Sequence, residues 1–206
     1  MHALEAERAN LEIQDESTIR EYYDLREQLN IYTKDMRNVI THPNYCLQFM
    51  QSGRLVRIKY KDYDFGWGAV VNFTMRKAAK GPGGGDIPPQ QSYVVDVLLN
   101  IANETTFTPN AFTDLPRGLR PPSADEKGKM EVVPVLLSCI DSIGHVRVFL
   151  PKELRSNEAK NTVRKSLNEV KRRFPDGIAI LDPIENMGIT DESFKKLLRV
   201  STYNCH

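Results

Sequence analysis

The middle of the 206-residue chain is dominated by short segments in which apolar and polar residues alternate. A period of two is typical of β-strands with one buried face. Five segments show this pattern, with little helical sequence between them. They are LVRIKY at 55–60, WGAVVNF at 67–73, SYVVDVLL at 92–99, EVVPVLLSCI at 131–140 and HVRVFL at 145–150. Because a small open sheet leaves two unpaired edges, we expect these strands to form a small β-barrel.

Two segments without regular alternation interrupt the predicted barrel. KAAKGPGGGDIPPQQ at 77–91 is rich in glycine and proline, but it lacks the lysine and hydroxyl residue that follow the glycines of a phosphate-binding loop. PRGLRPPSADEKGK at 116–129 contains Pro121 and Pro122, which prevent regular strand pairing. We expect both segments to be exposed insertions.

The sequences on either side of the predicted barrel have apolar residues spaced by three and four, which is typical of helices. The first helix should end at THPNY, residues 41–45, because Pro43 disfavours helical backbone at His42. The second should end at PDG, residues 175–177. The apolar positions are Tyr22, Leu25, Leu29, Tyr32, Met36 and Val39 in the first helix, and Val163, Leu167, Val170 and Phe174 in the second.

Each predicted helix has one apolar stripe, and two such helices pack most simply as an antiparallel stalk. The alternative is a helical layer packed against the sheet. The predicted fold is therefore α+β, a small β-barrel carried on an antiparallel helical stalk. Its parts are a stalk helix over residues 1–46, a barrel with insertions over 47–155 and the returning helices of the stalk over 156–206.

Charge is unevenly distributed along the chain, although the formal net charge is only +1. Residues 1–50 carry five basic and nine acidic side chains, whereas residues 54–80 carry seven and two. Local basicity of this kind attracts phosphate groups. The 3 cysteines have no CxxC spacing, which argues against a disulfide framework or a zinc site and for a reducing compartment. No apolar run is long enough for a membrane span, so we expect no membrane contact.

The sequence contains no convincing catalytic motif. GxSxG, HExxH and the Walker A lysine loop are missing, and no cysteine has an obvious histidine partner. Asp182 and Glu185 in ILDPIEN are two closely spaced carboxylates, but their place beside a proline favours turn and helix-start chemistry. We expect this chain to bind no cofactor and to have no catalytic activity of its own.

Three sequence segments resemble known families. GRLVRIKYKDYDFGWGAVV, residues 53–71, resembles the KOW motif of small RNA- and protein-binding barrels, and its glycines permit the tight turn of that motif. HVRVFLPKELR at 145–155 and VKRRFPDGIAILDPIENMGI at 170–189 resemble the arch domain of the nuclear exosome RNA helicases, the DExH-box helicases of the TRAMP polyadenylation complex. With the preceding helix, the resemblance covers roughly residues 20–199.

This resemblance implies a KOW-type barrel, the fist, that projects on a helical stalk from a helicase core. ATP and Mg²⁺ then belong to the core of the parent helicase, and this chain alone has no ATPase activity. The resemblance also implies exosome and TRAMP components as partners of the parent protein, and the nucleus, including the nucleolus, as its location. We expect the chain itself to be a monomer.

The resemblance further implies that the fist docks adaptor proteins through arch-interaction motifs of the form Leu-Phe-x-aliphatic-Asp. The arginine that pairs with the aspartate of the motif corresponds to Arg147. By strand alternation Phe149 shares the face of Arg147 and is a candidate pocket residue, whereas Val146 and Val148 face the core. Such a motif needs a charge-assisted hydrogen bond and apolar contacts. The alternative for Arg147 is a solvated strand arginine.

The second implied ligand is structured RNA, such as transfer RNA or ribosomal RNA precursors. The residues available for it are Arg54, Lys59, Lys61, Arg76, Lys77 and Lys80, with Trp67 or Tyr63 for base stacking. The alternatives are that the tryptophan belongs to the barrel core and that the scattered lysines are solvated. The chain is thus an adaptor-docking module with RNA contacts, mainly an RNA-binding KOW module, or a spacer without a direct ligand.

Overall fold

The computed structural model of the protein describes residues 16–76, 88–105, 114–192 and 194–196. Within these residues the helices are α1 (Glu16–Ile40), α2 (Pro43–Cys46) and α3 (Asn157–Arg173). The strands are β1 (Arg54–Tyr60), β2 (Tyr63–Met75), β3 (Tyr93–Ala102), β4 (Gly128–Leu136) and β5 (Ile140–Arg147). Short 3₁₀ turns cover Leu47–Phe49, Pro89–Gln91 and Leu137–Cys139. The predicted α+β class is confirmed.

The five strands form one antiparallel sheet in the order β4-β3-β2-β1-β5. In a flat sheet of five strands the two edge strands lie about 19 Å apart. Here the edge strands β4 and β5 are joined only by the turn Leu137–Cys139, and four peptide steps reach at most about 14 Å. The sheet therefore has to curl until its edges approach each other, which gives the predicted barrel.

The interior of the barrel contains a cluster of buried apolar side chains to which every strand contributes. In β1 the alternation places Val56 and Ile58 in this cluster with no exposed surface. Leu115 and Leu119, which precede β4, and Phe194 near the C-terminal end also join it. Because apolar burial is the dominant favourable term in folding, this cluster is the main source of the stability of the barrel.

Helix α3 packs on the outside of the barrel. It begins after Ser156, whose Oγ accepts a hydrogen bond from the backbone N–H of Ala159 at 3.1 Å. Serine is one of the residues most strongly preferred at this capping position. Val163 and Leu167 are buried in a second apolar cluster, which also contains Leu55, Ala69, Leu98, Met130 and Ile178.

The position of α3 differs from the expected antiparallel pairing with the stalk helix. Its apolar stripe covers the outer face of the sheet, which is the alternative arrangement of a helical layer. The physical reason is that this face is itself apolar at Leu55 and Leu98, so α3 buries its stripe on the nearest surface. Phe174, the last residue of the predicted stripe, is 40% exposed just after the helix ends.

Helix α1 is the predicted stalk helix, and its last residue, Ile40, agrees with the boundary expected before THPNY. Several apolar side chains before its last turns are exposed, namely Ile19, Tyr22, Tyr23, Leu25 and Ile31. Near its C-terminal end Met36, Val39 and Ile40 pack against the barrel core. The helix is therefore attached to the barrel by its last turns only, as far as the described residues show.

The bounds of the fourth and fifth strands differ from the predicted ones, 131–140 and 145–150. The predicted strand 131–140 runs through Leu137–Cys139, which is the turn between β4 and β5. Phe149 was expected inside the last strand, but β5 ends at Arg147. The prediction missed the reversal because the apolar run continues through it and the turn residues Leu137 and Cys139 are buried like their neighbours.

Candidate functional site

Arg147 and Phe149 lie at and just beyond the end of β5. The side chains between and before them, Val148 and Val146, pack against the α3 cluster. Arg147 is exposed, and 83% of the surface of Phe149 is open to solvent. Exposure therefore alternates from Val146 to Phe149, but Phe149 lies beyond the end of β5, and its place in a pocket with Arg147 stays a prediction.

Arg147 is held by neutral acceptors only. Its Nη1 donates a hydrogen bond to Oε1 of Gln51 at 2.8 Å, and its Nη2 donates to the carbonyl oxygen of Ser52 at 3.1 Å. Among the described residues it makes no ion pair with a carboxylate. These contacts orient the guanidinium group without neutralising it, which leaves its charge available for an external anion.

Arg54 faces Arg147 across the β1–β5 pairing but has a different environment. It donates hydrogen bonds to the carbonyl oxygens of Phe49, Gly144 and His145, at 3.3, 3.2 and 2.8 Å. Burial, and secondarily the charge of Arg147, lower the pKa of its guanidinium group, which still remains protonated at neutral pH. Arg54 thus links the segment before β1 to β5, and its charge adds to the positive potential around Arg147.

Lys59 and Lys61, predicted to belong to one basic surface, have separate environments. Lys59 forms an ion pair with Asp141 of β5, with 3.2 Å between Nζ and Oδ2. Lys61 lies in the turn between β1 and β2 with a φ of 53°, and its Nζ is 5.3 Å from the ring centroid of Tyr60. Asp141 thus offsets the charge of Lys59, and the role of these lysines with Arg54 in one basic surface stays a prediction.

Arg76, the next predicted RNA contact, lies directly after β2. Its Nη1 donates a hydrogen bond to the carbonyl oxygen of Gln91 at 3.1 Å, which connects the two sides of the insertion at 77–91. Lys77 and Lys80 lie outside the described residues. The role of all three in RNA binding stays a prediction.

Trp67 is half-buried rather than free on the surface. It packs against the α3 cluster and lies opposite Arg57 in the β1–β2 pairing. One side of it lines a groove between α3 and the sheet, which we call the α3 groove. Arg57, Arg164 and Lys171 also line this groove. Sequence reasoning missed this grouping because these residues come from three elements, β1, β2 and α3, and α3 lies far from the two strands in sequence.

The described cysteines do not provide a reactive site. Burial raises the pKa of the thiols of Cys46 and Cys139 to about 12, and the thiolate is the reactive form of cysteine. In the part of the chain that the structure describes, no group of histidine, cysteine and carboxylate side chains is placed to hold a metal ion. No helix in this part is both long and apolar enough to cross a membrane.

Comparisons with known proteins match both parts of the chain. A model of the Mtr4-like β-barrel domain matches residues 42–202, and a model of the stalk of Mtr4-like exosome RNA helicases matches residues 1–41. The ATP-dependent RNA helicase mtr4 of Schizosaccharomyces pombe is 49% identical over 187 residues, and the exosome RNA helicase MTR4 of Homo sapiens is 43% identical over the same length.

A more distant relative is the DExH-box ATP-dependent RNA helicase DExH10 of Arabidopsis thaliana, which is 35% identical over 200 residues. These alignments cover 91–95% of this chain but only 17–19% of each relative. The chain therefore spans less than a fifth of the length of each of these three relatives.

Proposed function

Because the chain belongs to the family of Mtr4-like exosome RNA helicases, whose stalk and β-barrel models it matches, we propose that it is the arch of an ATP-dependent RNA helicase. In this proposal ATP and Mg²⁺ bind in the helicase core of the parent protein, and the arch contributes no catalytic group. The names of the relatives, which are exosome and ATP-dependent RNA helicases, support the proposal.

The parent protein then acts with the exosome and the TRAMP complex in the nucleus and nucleolus, in RNA surveillance and ribosomal RNA processing. The task of the arch is to recruit adaptor proteins that carry the motif Leu-Phe-x-aliphatic-Asp, and to contact structured RNA. The observation that carries the docking role is the exposed guanidinium group of Arg147, which has no carboxylate partner among the described residues, together with the exposed ring of Phe149 two residues further on.

The part of the outer edge of β5 that is already hydrogen-bonded limits where such a peptide can bind. Hydrogen bonds from His145 to Ala179 and from Leu181 to Ile143 cover this edge in the middle of the strand. The covered part ends two residues before Arg147. An extended peptide therefore has no free edge to pair with at Ile143–His145, and it has to approach the end of β5, where its aspartate meets Arg147 and its apolar side chains meet Phe149.

Calorimetric titration with a synthetic peptide of this motif tests the docking role. We expect micromolar or tighter binding by the wild-type chain and a loss of about tenfold or more in Arg147→Ala, because a hydrogen bond to a charged group contributes about 1.5–3 kcal/mol. Arg155→Ala removes an exposed arginine eight positions further on and is the matched control. Equal losses in the two variants would contradict the proposed site.

The RNA contact is separable from peptide docking. Arg147→Ala should leave the affinity for transfer RNA nearly unchanged if the two ligands use different surfaces. A loss of both affinities would mean that they share one surface. Binding of neither ligand by the wild-type chain would favour the alternative of a spacer without a direct ligand.

A further inference from the structure

The α3 groove is a cavity of about 560 Å³ between helix α3 and the outer face of the sheet. Its lining is mixed, with charged, aromatic and amide side chains. Those that matter here are Arg57, Asp64, Trp67, Asn100, Arg164 and Lys171. Of the described residues predicted for RNA binding, Trp67 lines this groove and the basic residues Arg54, Lys59, Lys61 and Arg76 do not.

The groove has an excess of positive charge. Arg57 is neutralised by Asp64, with 2.5 Å between Nη2 and Oδ2. Burial raises the pKa of Asp64, but the hydrogen bonds from Arg57 and from the N–H of Gly66 outweigh burial and leave the pKa below its ordinary value. The carboxylate is therefore ionised at neutral pH. Of the cations that line the groove, it forms an ion pair with Arg57.

The other two cations of the groove have no carboxylate partner among the described residues. Arg164 donates a hydrogen bond to the carbonyl oxygen of Gly128 at 3.1 Å. This bond orients the guanidinium group but does not neutralise its charge. Both Arg164 and Lys171 are exposed. They lie seven residues apart on α3 and, with Asn168 between them, form one row along the helix that faces the groove. The buried Val163 and Leu167 fix the helix beneath this row.

The remaining walls of the groove suit a flat ring. Trp67, Pro121 and Pro122 offer apolar surface, and Gly66 leaves open space, because no atom lies within 4 Å of where its side chain would begin. Asn100 also lines the groove, but its Oδ1 atom is buried next to Gly128 and is not open to a ligand there.

We propose that the α3 groove binds a nucleotide of single-stranded RNA. A phosphate group contacts Arg164 and Lys171, and the base packs against Trp67. This proposal rests on the RNA contact of the proposed function, keeps Trp67 as the stacking residue and replaces the basic residues predicted from sequence by Arg164 and Lys171. An acidic peptide supplies only the anion, and it leaves the aromatic wall unused.

The test uses Trp67 as its own reporter, because it is the only tryptophan of the chain. Oligoadenylate of about eight nucleotides is titrated into the full chain while tryptophan emission and the anisotropy of labelled RNA are followed. The groove variant is Arg164→Glu with Lys171→Glu. The control variant is Lys152→Glu with Lys165→Glu, which makes the same change of charge at exposed lysines outside the groove.

We expect RNA to quench the emission of Trp67 in the wild-type and control chains. The groove variant should lose about tenfold or more in affinity at about 50 mM salt, and the slope of log affinity against log salt should fall by about 1.4, because two phosphate contacts are lost. Lys171→Ala is a milder change, at a residue without an ion pair in the described part of the chain. It should lose part of the affinity, and it still tests the groove if the double variant does not fold.

Three results would overturn the inference. One is RNA binding without quenching of Trp67, and another is equal loss of affinity in the groove and control variants. In both cases the RNA contact of the proposed function survives and only its assignment to the α3 groove is lost. The third is displacement of RNA by a polyglutamate peptide of equal charge at equal concentration, which would make the groove a general acidic-peptide site. If the wild-type chain binds no RNA, the RNA part of the proposed function fails with it.

Discussion

Arg54 and Arg147 are two arginines at paired positions of neighbouring strands, and their surroundings give them different roles. Arg54 bonds three backbone carbonyl groups and connects the segment before β1 with β5. Arg147 bonds one carbonyl and one side-chain amide and remains exposed. Both were candidate ligand contacts from sequence, and only the structure distinguishes the bracing residue from the accessible one.

Gly53, the first residue of the KOW-like segment, is a position where only glycine fits. Its φ is +84°, and an added Cβ would lie 2.0 Å from the carbonyl oxygen of Val148. We expect Gly53→Ala to lower the free energy of unfolding by about 3 kcal/mol or more, because both the backbone conformation and the β1–β5 contact are disturbed.

Urea unfolding of Gly53→Ala beside Gly177→Ala measures this effect. Gly177 also has a positive φ, +111°, but no atom lies within 4 Å of an added Cβ. Its substitution should therefore cost about 1–2 kcal/mol from backbone strain alone. Losses of the same size in the two variants would show that the close approach to Val148 does not matter.

At the scale of elements, α1 and α3 have the same kind of apolar spacing but differ in how far the apolar stripe is buried. The stripe of α3 is buried on the sheet at Val163 and Leu167. The N-terminal part of the α1 stripe, including Tyr22 and Leu25, remains exposed. Spacing of three and four residues defines an apolar face, but it does not define the surface that covers this face.

Truncation of one leucine in each helix tests this difference. Leu167 is 6% exposed and Leu25 is 45% exposed. Leu167→Ala should lower the free energy of unfolding by about 2–5 kcal/mol, because it leaves a cavity between α3 and the sheet. Leu25→Ala should change it by about 0.5 kcal/mol or less. Chemical denaturation measures both, and a large loss in Leu25→Ala would mean that the α1 stripe is covered.

At the scale of the whole molecule, the stalk and the barrel meet at a short apolar contact and at polar ones, which include a hydrogen bond from Nε2 of Gln90 to the carbonyl oxygen of Asn38 at 2.9 Å. Asp141 of β5, 12% exposed, ion pairs with Arg37 of α1 and with Lys59 of β1. Thr41, at the end of α1, is fully buried and donates a hydrogen bond from Oγ1 to the carbonyl oxygen of Arg37 at 2.7 Å. These contacts favour a rigid connection between α1 and the barrel at THPNY, residues 41–45, over a free hinge. We call this connection the elbow.

We expect Asp141→Asn to loosen this elbow, because two cations lose the carboxylate that they share. The free energy of unfolding should fall by about 1–3 kcal/mol, and amide hydrogen exchange should rise in the last turns of α1 before it rises in β3. Glu16→Gln, which removes the exposed pair with Arg20 at the other end of α1, is the control and should change neither. Unaltered exchange near Arg37 in Asp141→Asn would show that the apolar contacts alone hold the stalk.

The sequence by itself determined the local elements of this protein. Alternation predicted β1 and β3 to within three residues and the middle of β2, which begins four residues earlier than predicted. Pro43 predicted the end of α1, because side-chain period and proline geometry act within a few residues. The exposure of Arg147 opposite Val146 and Val148 also followed from the period of two. The KOW and arch resemblances in the same sequence indicated the family before any contact was known.

Only the tertiary structure decided which surfaces meet. It placed α3 on the sheet, made a turn of the buried run Leu137–Cys139, tied Lys59 to Asp141 and joined Trp67 to Arg164 and Lys171 in one groove. Each of these results depends on residues that are distant in sequence, and burial and charge pairing act between whichever groups the fold brings close. Local patterns carry no information on that choice, so the barrel was predictable and its most chemically distinctive groove was not.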